Sequence, residues 1–400
     1  MISNIINYAG MFILAVMITR FMGVKELGEF TIIFAVSSII SVISEFGLSQ
    51  LLIRKINSDR SLIFSIVKNV NIFKFLLSIL CLIVAGLILS IIPGSIFNLT
   101  FAAGIALIIP KVMQTTYESA IRALMIQTLP SVLKSINTFI QIILSYFILL
   151  KTGALFDLFV MMFIMECITS IVFKIASGRI WRNSGITLLP SLPFSFSFIK
   201  PVINQAFPFF GSNFLALSIP RVIIIILGNL SSQVSLGIFS AAARFSNGIG
   251  LLSGAFYNTF YPVMTDPATP QDVRYSLAKK FSLYAFLTGL LISLTIYFSA
   301  GLLIDLTFKI PEAIPVLKII CFIIIPILVY SVIQPFLFSL HAEKFILKTY
   351  LAVWLFNILC SIYLIEFYGY IGAAISTIIA DYLIMISLTL KFYKIKNKNL

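Results

Sequence analysis

Charge is the scarcest thing in this sequence. Aspartate, glutamate, lysine and arginine together make up 10% of its 400 residues, where a soluble domain carries about a quarter. A chain so poor in charge cannot keep a folded surface wet, which excludes a water-soluble protein. Histidine is nearly missing: His341 is the only one, and a histidine-built metal centre is excluded with it. Cysteine occurs four times, as Cys81, Cys167, Cys321 and Cys360, each inside an apolar stretch and without paired spacing. These read as small packing residues, neither disulfides nor metal ligands. No phosphate loop, zinc signature, nucleophile elbow or dinucleotide fingerprint occurs. No metal, no cofactor and no enzymatic activity are therefore expected.

What the chain has is apolar length. Hydrophobic residues reach 60%, mean hydropathy is +1.09 and phenylalanine alone occurs 38 times. Runs near 20 residues match the hydrocarbon thickness of a bilayer. Charges, prolines and glycines delimit twelve spans, near 4–22, 29–53, 69–92, 96–121, 130–150, 155–177, 201–228, 234–262, 281–308, 313–340, 346–366 and 370–393. The tenth contains Pro315, Pro326 and Pro335. Proline is tolerated there if neighbouring helices satisfy the freed carbonyls, and it often marks a bend. The first span has no basic lead and no small-x-small cleavage site, so it reads as a membrane helix and not as a signal peptide.

Loop charges support that count. With the N-terminus inside, nineteen lysines and arginines fall in inside segments and five fall outside: Arg20, Lys25, Lys151, Lys309 and Lys318. Miscounting one helix would scramble this positive-inside alternation, so both termini are expected in the cytoplasm. The same bias explains most of the formal net charge of +14, and no nucleic-acid partner is expected.

A phrase running from Arg20 to Phe30 lies between the first two spans, with a shortened echo, Leu236-Gly237-Ile238-Phe239, about half a chain later. The longest polar interruption, Ser177 to Lys200, divides the chain into two halves of six spans. The expected organisation is an N-terminal bundle at 1–178, a cytoplasmic linker at 179–200 and a C-terminal bundle at 201–400. With six helices each, the halves form a parallel repeat, an arrangement typical of transporters. Trp181, between Arg179 and Arg182, suits either an interfacial linker or a plain surface loop. The phrase itself reads as a periplasmic turn with Lys25, Glu26 and Glu29 in water.

Three groups of residues now meet a family pattern. Arg20, Gly23, Gly28 and Phe30 follow the first span. Glu45-Phe46-Gly47-Leu48-Ser49-Gln50 and Arg54 close the second, and Gly369-Tyr370-Ile371-Gly372-Ala373-Ala374 stands near the C-terminus. In this order, with twelve spans, the chain resembles the Wzx-type O-antigen or polysaccharide-repeat-unit flippases, polysaccharide biosynthesis proteins of the MATE-like MOP superfamily. The resemblance covers essentially the whole chain. It implies an all-α polytopic membrane protein of about twelve transmembrane helices in two six-helix bundles. It also implies a central cavity lined mainly by helices one, two, seven and eight. The implied substrate is an undecaprenyl-diphosphate-linked oligosaccharide, moved from the cytoplasmic to the periplasmic leaflet of the bacterial inner membrane during lipopolysaccharide or O-antigen assembly.

An ionisable residue within a span is a functional candidate by default. The four cavity helices of the resemblance carry Arg20, Glu45, Arg221 and Arg244. Counting at about 1.5 Å per residue, Arg244 lies roughly 12 Å below the outer face and Glu45 roughly 25 Å below it. Arginine offers a fork of donors that matches phosphate oxygens and stays charged when desolvated. Arg244, Arg221, Arg20 and Lys111 are accordingly the substrate-binding candidates. The alternatives are an interhelical salt bridge for Arg244 and snorkelling to the interface for Arg20. Lys111, after Pro110, could pair with Glu118 or Glu166, and Glu118 with Arg122 at i, i+4 reads as an ordinary helix pair. Lys74 is expected to snorkel. Glu45, Glu166 and Asp381 are candidates for proton or sodium coupling, each with a structural role as the alternative. Gly250-x-x-x-Gly254 is expected to pack tightly against a neighbouring helix.

The leading expectation is a flippase working by alternating access, within the lipid bilayer and beside other polysaccharide-assembly proteins. A multidrug or other small-molecule antiporter of the same superfamily is the alternative, although three arginines argue against a cationic drug. A membrane polymerase or ligase would carry a large periplasmic loop, and every outside loop here is short. A major-facilitator transporter would show a Gly- and Arg-rich loop where Ile56-Asn57-Ser58-Asp59-Arg60 stands.

Overall fold

A computed structural model describes residues 2–58, 63–91, 99–183, 196–265, 269–340 and 342–396, and no strand occurs among them. The helices are α1 (Ile2–Phe21), α2 (Val24–Glu45), α3 (Leu48–Ser58), α4 (Ile63–Ile91), α5 (Leu99–Ala106), α6 (Ile108–Ala123) and α7 (Thr128–Lys151). They continue as α8 (Leu155–Asn183), α9 (Phe196–Leu230), α10 (Gln233–Thr265), α11 (Gln271–Leu306), α12 (Ala313–Ile320), α13 (Ile324–Ser339) and α14 (Glu343–Lys396). Nine helices among the described residues are long and apolar enough to cross a membrane. The protein is an all-α polytopic membrane protein.

The twelve apolar spans map onto these helices once the breaks are read physically. The second span divides into α2 and α3 at Phe46 and Gly47, which both have positive φ, 49° and 66°. The fourth divides into α5 and α6 three residues before Pro110, whose ring displaces the carbonyl four residues back and removes one hydrogen bond. The tenth divides at a 3-10 turn, Cys321–Ile323, just ahead of Pro326, while Pro335 is accommodated inside α13. In the other direction, α14 runs for 54 residues, about 80 Å at helical rise and far more than a bilayer. It folds at Gly369 (φ 55°, ψ −131°), so its two halves are the eleventh and twelfth spans.

Internal contacts gather the chain into two compact units, one of residues 11–32 and 222–400, the other of residues 2–10 and 33–221. The helices α1 and α2 thus contribute to both, whereas the sequence halves placed them wholly in the first.

Within the first unit the two copies of the Leu-Gly phrase cross each other. A Cβ on Gly28 would fall 1.9 Å from the Gln233 carbonyl oxygen, and one on Gly237 would fall 2.0 Å from that of Val24. Leu27, Phe30 and Leu236 are fully buried around this crossing. The Arg20–Phe30 phrase is therefore not the long watery turn expected of it. Only Met22 and Gly23 separate the helices, and α2 resumes at Val24. The expected close approach at Gly250 and Gly254 is not found among the described residues, where an added Cβ at either meets nothing within 4 Å.

Within the second unit, α3 is strongly amphipathic. Its face of Leu48, Leu51, Leu52 and Ile56 is buried against Ile63, Ile66, Val67 and Val70 of α4 and Ala120 and Ala123 of α6. Trp181 belongs to this cluster, edge-on to Phe64 at 5.0 Å. Trp181 thus lies buried on α8, in neither the interfacial linker nor the surface loop expected of it. Helix α8 continues through Asn183, taking in the first residues of the expected 179–200 linker, and residues 184–195 lie outside the described residues.

Candidate functional site

The sequence-derived candidates divide between the units. Arg20, Arg244 and Asp381 belong to the first; Arg221, Lys111, Glu45 and Glu166 belong to the second.

In the first unit, Arg244 is partly buried on α10 and its Nη1 donates to the Met11 carbonyl of α1 at 3.1 Å. Phe245, beside it in the chain, meets Phe12 and Phe308 edge-on at 5.2 and 6.1 Å. Aromatic edges thus fix the backbone that carries the guanidinium. Arg20, at the end of α1, is exposed. Its Nε donates to the Thr307 carbonyl at 2.7 Å and its Nη2 to that of Leu306. These carbonyls close the C-terminal end of α11, where four acceptors lack intrahelical partners and the helix dipole favours a cation. Two of Arg20's donors are thus engaged by a helix end.

Asp381 lies partly buried on the second half of α14. The Tyr330 hydroxyl of α13 donates to its Oδ1 at 3.2 Å. Tyr350 is within electrostatic range of the same carboxyl, and Tyr257 within range of Tyr350. No basic side chain pairs with Asp381 among the described residues.

In the second unit, Lys111 is exposed and its ammonium stands over the Phe34 ring, 5.4 Å from the centroid. The expected pairing of Lys111 with Glu118 or Glu166 does not form. Glu118, almost fully buried, pairs instead with Arg122 one turn on and with Lys134 of α7 at 2.6 Å. The i, i+4 pair read from the sequence is present. Glu166 accepts from the Gln141 amide at 3.2 Å, an α7–α8 contact. Arg221 follows Pro220 on α9, partly buried and within electrostatic range of the Tyr8 hydroxyl.

Sequence reasoning misplaced Lys74. It does not snorkel: the residue is completely buried, and its ammonium donates to Ser49 Oγ of α3 at 3.3 Å and Thr115 Oγ1 of α6 at 3.2 Å. Glu45 and Glu118 lie within electrostatic range. This cluster ties together α4, α6 and the break after Glu45. The signal was legible: Asn71, Lys74 and Ser78 recur at i, i+3 and i+7, so α4 carries a polar face that α3 and α6 cover. All three are buried.

The family model described as "Polysaccharide biosynthesis protein" matches residues 1–267. No curated protein matches the chain. Among solved structures, "Lipid II flippase MurJ, inward closed conformation" is similar at TM-score 0.70 and 15% identity, over 98% of this chain and 86% of that one. An inward-facing "multidrug resistance MATE family transporter of the MOP superfamily" is similar at TM-score 0.65 and 11% identity, over 100% and 96%. A "MOP superfamily transporter from Pyrococcus furiosus", described as having reverse polarity of its binding pocket, is similar at TM-score 0.59 and 12% identity, over 98% and 93%. At these identities the likeness is one of fold.

Proposed function

The chain belongs to the polysaccharide biosynthesis protein family, and from that membership we propose that it is a flippase for undecaprenyl-diphosphate-linked oligosaccharide repeat units. The unit passes from the cytoplasmic to the periplasmic leaflet of a bacterial inner membrane by alternating access of two six-helix halves. Both termini face the cytoplasm, as the loop charges favour. Other polysaccharide-assembly proteins supply the lipid-linked unit and take it onward.

The observation that carries the substrate class is Arg244. It is a guanidinium held within a membrane helix, oriented by the neutral Met11 carbonyl and by a clamped Phe245. A donor group of that kind, fixed in low dielectric, suits a diphosphate, which carries close to two negative charges and planar arrays of acceptor oxygens. Arg20, in the same unit, is held at the end of α11, and Arg221 and Lys111 are the basic candidates of the second unit. A cationic drug would meet repulsion from the same residues.

Arg244→Ala is expected to abolish surface polysaccharide while the protein still inserts, and Arg244→Lys to keep part of it, because a lysine retains the charge and loses the fork. The measurement is surface polysaccharide and accumulated lipid-linked precursor at native expression. Normal polysaccharide in the alanine variant would remove Arg244 from the substrate path. Efflux of a cationic dye abolished by the same substitution would favour the multidrug reading instead.

A further inference from the structure

We propose that Asp381, with the Tyr330 and Tyr350 phenols around it, is the site where the protein takes up and releases the proton that drives translocation. The coupling half of this rests on the transport reading above; the proton-binding half does not.

The argument starts from charge compensation. An ionised carboxylate is costly among membrane helices unless a cation or strong donors answer it. The three acidic candidates differ in this respect. Glu45 has the buried Lys74 ammonium within electrostatic range, whereas Glu166, like Asp381, has a neutral donor, the Gln141 amide, but no phenols around it among the described residues. Glu118, the other buried acid, is answered twice, by Arg122 and Lys134. Asp381 is answered by one neutral phenol, Tyr330, at 3.2 Å.

The elements packed against it supply no cation among the described residues. From α13 comes Tyr330, from the first half of α14 comes Tyr350, and from α10 comes Tyr257 beyond it. Tyr382, next in the chain, donates to the Phe322 carbonyl. Three cations of the same unit are engaged elsewhere: Lys318 stands over the Tyr297 ring, Lys391 over that of Phe345, and Arg274 donates to the Met264 carbonyl. A proton supplies that compensation by neutralising the carboxylate. It needs only one oxygen.

The step balances simply. A hydronium from the facing solution gives its proton to a carboxylate oxygen, leaving water and a neutral acid, and release to the other side reverses it. Tyr330, Tyr350 and Tyr257 lie in turn within electrostatic range of one another, on three helical segments, and a phenol can both donate and accept. Neutralising Asp381 changes what α13 and α14 hold between them, and that links proton uptake to helix arrangement.

The test uses the full chain reconstituted in vesicles, with potassium as the only added cation. Infrared difference spectra between alkaline and acidic buffer report protonated carboxyl groups directly. The expected result is a carboxylic C=O band that is lost in Asp381→Asn and shifted in Tyr330→Phe, which keeps the ring and removes the donor. An unchanged band in Asp381→Asn overturns the proposal, as does an unchanged band position in Tyr330→Phe should the asparagine variant fail to fold. Loss of the band on replacing potassium with sodium at constant acid pH also overturns it, since sodium would then be the occupant. In cells, Asp381→Asn is expected to lose surface polysaccharide and Asp381→Glu to keep part; normal export in the asparagine variant removes the coupling role. The infrared arm contains no lipid-linked substrate, so it stands or falls apart from the Arg244 test.

Discussion

Replacing Gly28 by alanine tests the crossing of α2 and α10 directly. The added carbon would sit 1.9 Å from the Gln233 carbonyl oxygen, about 1.5 Å short of the 3.4 Å at which ordinary contact begins. The obstacle is backbone, so no side-chain rotation relieves it and the helices must part. Overpacking of this kind costs about 1–3 kcal/mol, and the upper end applies because Leu27 and Leu236, both fully buried beside the crossing, lose contacts as well. Alanine returns about 1 kcal/mol through its better helix propensity. The net loss is about 2 kcal/mol, which lowers an unfolding midpoint by about 2–3 °C in a chain of this size. The assay is the fraction of purified protein that stays monodisperse in detergent after heating, measured across a temperature series. Gly254→Ala is the control, because its Cβ meets nothing within 4 Å and only the propensity gain applies. Gly237→Ala should behave like Gly28→Ala. The double variant should lose less than the sum, since one parting of the helices accommodates both carbons. A midpoint for Gly28→Ala equal to or above that of Gly254→Ala would refute the crossing.

Two further outcomes are expected of the same heating assay. Gly369→Ala should destabilise by about 1–3 kcal/mol even though its Cβ meets nothing within 4 Å, because φ 55° with ψ −131° is open to glycine and strained for alanine; an unchanged midpoint would mean the turn relaxes freely. Lys74→Glu should be worse than Lys74→Met, since glutamate sets a third carboxylate beside Glu45 and Glu118 while methionine keeps the stem's packing; loss of a buried charge partner costs about 3–5 kcal/mol, and equal behaviour of the two variants would show that the ammonium's charge is not felt there.

Element by element, the agreement between sequence and structure follows what each signal measures. The apolar spans read from the sequence match helices even where a span is internally broken, because hydropathy records the length of an apolar run and ignores a local break within it. The pairing of Glu118 with Arg122 is legible because i, i+4 neighbours meet by helical geometry alone. Its second partner, Lys134, is not, because that contact depends on how α7 lies against α6. Lys74 was misread for the same reason. Its position along α4 suggested escape to the interface, while its direction, toward Ser49 and Thr115, is set by the two helices that cover it.

Composition and periodicity by themselves determined that this protein lives in a bilayer and that its apolar spans number twelve. They left Arg20, Arg221, Arg244, Lys111, Glu45, Glu166 and Asp381 as the charges in need of an account. Those are consequences of transfer free energy and helical rise, which are read residue by residue. Only the tertiary structure decided what each exception does. It directs Arg20 to the end of α11, orients Arg244 by a backbone carbonyl and gives Asp381 a phenol in place of a cation. It also set the repeated Leu-Gly phrases against each other across a single crossing, since two backbones can approach that closely only where neither carries a Cβ. Partners across helices are chosen by packing, and packing is a property of the assembled fold.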